Sequence, residues 1–111
     1  AFKTEENLGI EDKRIIVYLD HLLDYNGKYQ VLLFDLENHN ANDFTVDHLV
    51  LSSITDKGGE RNINGFFKCD KRLRGDEINH CSFVTTDGKV LEGERLKLTV
   101  STDRGQGAIT W

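Results

Sequence analysis

The sequence predicts an all-β sandwich of about seven strands, and three observations carry that expectation. Apolar and polar residues alternate with period two in several segments, most clearly Leu96-Lys97-Leu98-Thr99-Val100-Ser101. Turn-forming residues punctuate the chain about every ten positions, as in Asn26-Gly27, Lys57-Gly58-Gly59 and Asp87-Gly88. With 111 residues and 38% hydrophobic content, the chain can bury one modest core, so a single domain is expected over residues 1–111. The same composition excludes a membrane span and tells against a wholly disordered chain.

Taken in order, Ile15 to Leu19 is rich in β-branched and aromatic residues and reads as a strand. Tyr29 to Leu36 is too continuously apolar for a solvated edge and reads as a central strand. Between them, Asn26-Gly27 supplies the two positive-φ positions of a type I′ turn, so a hairpin joins the pair. A helix competes here, because Ile15, Leu19, Leu22 and Leu23 also fall on one helical face that Gly27 would end. Glu37 to Asp43 is a polar loop.

Phe44 to Ile54 is a long extended segment, with Phe44, Val46, His48, Val50 and Ile54 on one face and Leu49 and Leu51 on the other. Its length predicts a bulge or a change of sheet. Ile63 to Cys69 reads as a strand, Lys71 to Glu77 as a charged loop, and Ile78 to Thr86 as a further strand. Val90 leads into the strand over Leu96 to Ser101. Gly105 and Gly107 then precede Ala108-Ile109-Thr110-Trp111, whose indole would close one end of the core. This count and spacing of strands define an immunoglobulin or fibronectin-III type of sandwich. The chain contains no proline, so charge must protect its sheet edges, and an edge left open would favour a homodimer or strand exchange.

Charge narrows the classes of partner. Net charge is −5, and the acidic residues crowd the first half: residues 1–60 carry 12 acidic and 5 basic side chains. Only Lys68, Lys71, Arg72 and Arg74 cluster as bases, interrupted by Asp70, Asp76 and Glu77, which tells against nucleic acid. The many carboxylates, among them Glu5, Glu6, Glu11, Asp12, Asp20, Asp24, Asp35 and Glu37, form no calcium loop and read as a solvated face able to steer a basic partner.

Cys69 and Cys81, twelve positions apart, are expected to form a disulfide, as suits a small exported domain; buried free thiols are the alternative. The chain begins at Ala1 without an initiator Met, which fits a mature chain after signal removal, a piece of a longer cytosolic protein being the alternative. No metal site is expected, since the cysteines are not C-x-x-C and His21, His39, His48 and His80 lack ligand spacing. No cofactor is expected either, because no glycine loop cradles phosphate.

An enzyme is not expected. No Gly-x-Ser-x-Gly occurs, and Ser52, Ser53, Ser82 and Ser101 fall in strands where hydroxyls usually face solvent or the backbone. Cys81 beside His80 is no catalytic pair, because neighbours on a strand point to opposite faces. Arg74-Gly75-Asp76 is the tripeptide that integrin ligands present, and a Cys69–Cys81 bond would constrain its loop. A three-letter match is weakly specific, and a solvated turn is its ordinary reading. Tyr18, Tyr25, Tyr29 and Phe66 are candidate aromatic anchors for a protein partner, against the alternative of cross-strand packing.

The strand layout, the Asn26-Gly27 hairpin, the Cys69 to Cys81 spacing and the terminal Leu96 to Trp111 hairpin resemble the small secreted fibronectin-III-like proteins of pathogenic enterobacteria, the interleukin receptor mimics among them. That resemblance implies a secreted, non-enzymatic, virulence-associated binder of host cytokines, acting through loops or an exposed sheet as a dimer. The Trp-Ser-x-Trp-Ser box of cytokine receptors is missing, Trp111 being the one tryptophan, so no binding residue carries over. Leu98-Thr99-Val100-Ser101 with Gly105 and Trp111 is also similar to the periplasmic immunoglobulin-like proteins that restrain curli assembly, though these carry closely spaced cysteines. The expectation is a secreted or periplasmic protein-binding module, with a fibre-restraining assembly factor or an integrin-binding adhesion module as the alternatives.

Overall fold

Residues 4–7, 15–87 and 93–111 are described by the computed structural model. They form β1 (Thr4–Asn7), β2 (Ile15–Tyr25), β3 (Tyr29–Asn38), β4 (Phe44–Ile54), β5 (Glu60–Asn62), β6 (Asn64–Lys68), β7 (Arg72–Leu73), β8 (Ile78–Asp87), β9 (Arg95–Thr102) and β10 (Gly105–Thr110). One sheet has the order β1-β2-β3-β8-β6, and the other β10-β9-β4-β5 with β7 also on β4. All pairings are antiparallel. The chain changes sheets after β3, β5, β6, β7 and β8, so the segment from β5 to β9 crosses between the two layers of the sandwich at every step. The seven expected strands are all present, and the three extra ones, β1, β5 and β7, are short. Val90, Gly88 and the carboxylates Glu11 and Asp12 lie outside the described residues.

The core is the inter-sheet layer. Val17, Leu19, Leu32, Phe34, Leu36 and Phe83 from one sheet meet Phe44, Leu51, Leu98 and Val100 from the other, all nearly or wholly without exposure. Trp111 packs against this layer, and its backbone N–H donates to the Leu96 carbonyl at 2.8 Å. The Asn26-Gly27 turn forms as expected, with φ of 56° and 71° and the Lys28 N–H donating to the Tyr25 carbonyl at 3.0 Å.

Two β-bulges account for the ambiguous segments. In β2 the register with β3 shifts between Leu19 and His21, so Ile15, Val17 and Leu19 face the core, and after the shift Leu22 does, opposite buried Leu32. One extra residue in a strand therefore reproduces the 15, 19, 22 spacing of a helix, and the helical alternative is set aside. In β4 the register with β9 shifts between Val46 and His48. Phe44 and Val46 face inward before it, and Leu49, Leu51 and Ser53 after it, opposite Val100, Leu98 and Leu96. The expected face of Phe44, Val46, His48, Val50 and Ile54 is thus corrected: His48 and Val50 pair with Ser101 and Thr99 on the opposite side.

Three further expectations are adjusted. Ser52, Ser53 and Ser101 are buried and not solvated. Ser52 donates to Asn62 Oδ1 at 3.1 Å and Ser101 to Gln106 Oε1 at 2.9 Å, which satisfies those two hydroxyls locally. The polar loop after β3 begins at His39, because Glu37 and Asn38 complete the strand opposite Ile16 and Ile15. Finally, Lys71 to Glu77 contains β7, which secures that loop to the start of β4.

The seam between β6 and β8 is tightly made. A Cβ at Gly65 would collide with the Val84 carbonyl oxygen and the Phe83 ring, so only glycine permits this approach. Phe67 sits on Phe83 at 4.4 Å between ring centroids and edge-on to Phe34 at 6.1 Å. Cys69 and Cys81 are disulfide-bonded just beyond, as the sequence led us to expect. Replacing both cysteines by serine is expected to lower stability by about 3 kcal/mol, read as a fall in the urea midpoint with far-UV circular dichroism unchanged. A midpoint that does not move would show that Gly65 and Phe67 hold the seam unaided.

Candidate functional site

Cross-strand partners in a sheet share a face, so register decides which side chains stand together. On the outer face of the β1-β2-β3-β8-β6 sheet, Leu23 pairs with Val31, Val31 with Val84, and Val84 with Phe66. The result is an unbroken apolar row across four strands, ending at an edge where Phe66 is 72% exposed. Tyr25 and Tyr29, paired beside the hairpin turn, extend it with rings stacked at 4.9 Å and 13°. All five large hydrophobic side chains exposed among the described residues stand on this face: Tyr25, Tyr29, Phe66 and Val84 in or beside the row, and Ile78 at the other end of β8, paired with Glu37.

Polar rows border the apolar one. His21, Leu33, Ser82 and Lys68 form the adjacent row, and Tyr18, Asp35 and His80 the next, where His80 Nδ1 lies 2.7 Å from Asp35 Oδ1. Glu5 pairs with Tyr18 through the β1 register. All four aromatic candidates, Tyr18, Tyr25, Tyr29 and Phe66, thus stand on one face, with Tyr18 half-buried in the polar part. Leu23, Val31 and Val84 were not singled out by sequence reasoning. Their signal lies in the register, which no single strand reveals. An apolar centre with a charged rim is the composition of a protein-binding surface. Among the described residues, no group of three His, Cys, Asp or Glu side chains converges as a metal site.

Arg74-Gly75-Asp76 lies elsewhere, in the turn after β7. Its backbone is tied down: the Gly75 N–H donates to Asp43 Oδ1 at 3.0 Å and the Asp76 N–H to the Asn40 carbonyl at 3.0 Å. A Cβ at Gly75 would strike the Ala41 backbone, so the tripeptide is packed on the loop before β4. The disulfide encloses this loop, but Asp43 and Asn40 do the local holding. Arg74 and Asp76 side chains are exposed, and Asp76 adopts a φ of 59°.

Asp43 is the hub of this loop. The Gly75 N–H and then the Arg72 guanidinium, 2.9 Å away through Nε, hold its carboxyl below the ordinary value of 3.8. A depressed carboxylate stabilises the fold above its unfolded pKa, and the contribution is lost as pH falls through the folded one. The Gly75 amide resonance should therefore titrate with a midpoint below 3.8, and that step should vanish in Asp43→Asn. Retention of the same step in the variant would assign it to another group.

Comparisons with known proteins yield fold alone. No protein-family model matches the chain, and no curated protein matches. The archaellum periplasmic stator protein FlaG of Sulfolobus acidocaldarius aligns with a TM-score of 0.56 at 8% identity, covering 87% of this chain and 99% of that one. FlaG or FlaF in the FlaF–FlaG stator complex of the same organism gives 0.56 at 9%, covering 84% and 85%. The GAE domain of GGA2p from Saccharomyces cerevisiae gives 0.51 at 10%, covering 99% and 94%. All three share the β-sandwich.

Proposed function

We propose that this protein is a non-catalytic, extracytoplasmic module that binds a protein partner through the outer face of its β1-β2-β3-β8-β6 sheet. One observation carries the reading: the row Leu23, Val31, Val84, Phe66, with the Tyr25–Tyr29 stack beside it, is left in water. Monomeric soluble proteins seldom expose contiguous apolar patches without use for them, and aromatic residues ringed by polar ones are the usual anchors. The disulfide fits an oxidising compartment. A periplasmic protein and a two-protein complex named among the structural neighbours agree with this reading without adding to it.

The partner is the finer question. A host cytokine follows from the fibronectin-III-like resemblance, a fibre subunit from the curli-type one, and an integrin from Arg74-Gly75-Asp76. The first two would meet the sheet face; the third would engage the β7–β8 turn, where both charged side chains are exposed.

Immobilised protein screened against purified cytokines, curli-type subunits and integrin ectodomains tests all three. For a partner on the sheet face, the Phe66→Ser and Val84→Ser double variant should weaken binding by about thirtyfold, the effect of losing a 2 kcal/mol anchor. Its thermal midpoint should stay close to that of the parent, since these side chains are exposed. A partner bound with equal affinity by parent and variant would place recognition elsewhere. Loss of binding only in Arg74→Ala would move it to the tripeptide.

A further inference from the structure

The edge of β4 opposite β9 carries two short strands with a gap between them. β5 pairs with Ser52 to Ile54 and β7 with Phe44 and Thr45. Both lie on the same side, since β9 occupies the other from Val46 to Ile54 and the Asp103 N–H continues it to the Thr45 carbonyl. Both run antiparallel to β4, so one line of strand is interrupted: the chain leaves it at Ile63 to build β6 in the facing sheet and rejoins it at Lys71. The last hydrogen bonds on either side are Ile63 N–H to the Leu51 carbonyl, 2.9 Å, and Val46 N–H to the Lys71 carbonyl, 2.6 Å. Among the described residues no strand pairs with Asp47 to Val50 on this side.

Backbone direction alternates along a strand, and the Leu51 carbonyl points into the gap line, so the Leu49 N–H and C=O point there as well. Two depressions flank that position and meet at Leu49 and Phe67. One, of about 140 Å³, is lined by Val46 to Leu49 with Cys69 and Lys71. The other, of about 250 Å³, is lined by Leu49 to Leu51 with Ile63, Gly65 and Phe83. The smaller depression is lined mainly by apolar surface, and the larger is mixed, with Asn62 and Asn64 beside Phe67 and Phe83, while the β7 end bears Lys71. Lys71 makes no ion pair among the described residues. Asp47 and His48 are the other charged or titratable groups at that end.

We propose that this gap is a strand-addition site, which takes an extended segment of another polypeptide antiparallel to β4. The slot is about four residues long, roughly 13 Å. The guest's residue opposite Leu49 would exchange both backbone hydrogen bonds with it. That residue and the one two positions later would be apolar, filling the depressions, and a carboxylate would follow at the Lys71 end. A second copy of the chain does not suit the slot, because its own β4 is recessed between β5 and β7 in the same way. A free tail or loop is needed.

The probe is the peptide acetyl-Thr-Val-Thr-Leu-Glu-amide, titrated into the whole ¹⁵N-labelled protein. Saturable shifts are expected at the amides of 47–50 and 63–71. Methylating the valine nitrogen, which removes the donor to the Leu49 carbonyl, should weaken binding by about tenfold or more. Exchanging the terminal Glu for Lys should weaken it as well. Phe66→Ser should bind the peptide like the parent, because Phe66 and Phe67 point to opposite sides of β6; this separates the slot from the sheet-face reading. Absence of shifts at millimolar peptide, indifference to N-methylation, or shifts confined to the Phe66 face would each overturn the proposal.

Discussion

The close approach of β6 to β8 is the constraint on which the rest of the molecule depends. β6 is five residues long and would contribute little on its own. It is held because Gly65 lacks a Cβ, because Phe67 wedges against Phe83 and Phe34, and because Cys69 is bonded to Cys81. Each device acts on a different part of the strand, and together they commit residues 64–68 to the sheet of β8. Without that commitment the chain between β5 and β7 would be free to continue along β4, and the sandwich would lose an edge strand from one sheet while closing the gap in the other.

Strand parity then distributes the two aromatic neighbours. Phe67, opposite Phe83, enters the core; Phe66, opposite Val84, is turned into water at the end of a row that begins at Leu23. The exposed face and the β4 gap are therefore two consequences of one placement. They remain separate surfaces, since the sheet itself lies between them.

Much of this was legible in the sequence, and what was not has identifiable causes. Long strands announce themselves by alternation, and Asn26-Gly27 by its positive-φ chemistry. The bulges at Leu19/His21 and Val46/His48 were the main obstacle: each shifts the inward parity by one, so β2 imitates a helical face and His48 and Val50 exchange sides with Leu49 and Leu51. The two- and three-residue strands β5 and β7 carry too few side chains for any period to show. Aromatic candidates could be read from composition, since Tyr18, Tyr25, Tyr29 and Phe66 sit in strands, but the valines and leucine that make them a surface are joined only through pairing across the sheet. Nothing local distinguishes Phe66 from Phe67 until the partner strand fixes which one faces in.

The absence of proline sharpens the question of edges. Unpaired strands invite pairing with other chains, and proline is the simplest way to refuse it. Here the β4 edge is shielded instead by geometry, because β5 and β7 stand at either end of the open stretch and bar any strand that is itself part of a folded sheet. Such a shield discriminates by shape: it rejects the edge of another sandwich and leaves room for a short, unstructured guest. The exposed face of the neighbouring sheet has no comparable barrier, since its apolar row runs to the rim at Phe66. The two surfaces thus differ in kind, one suited to a folded partner that presents area, the other to a segment that presents backbone.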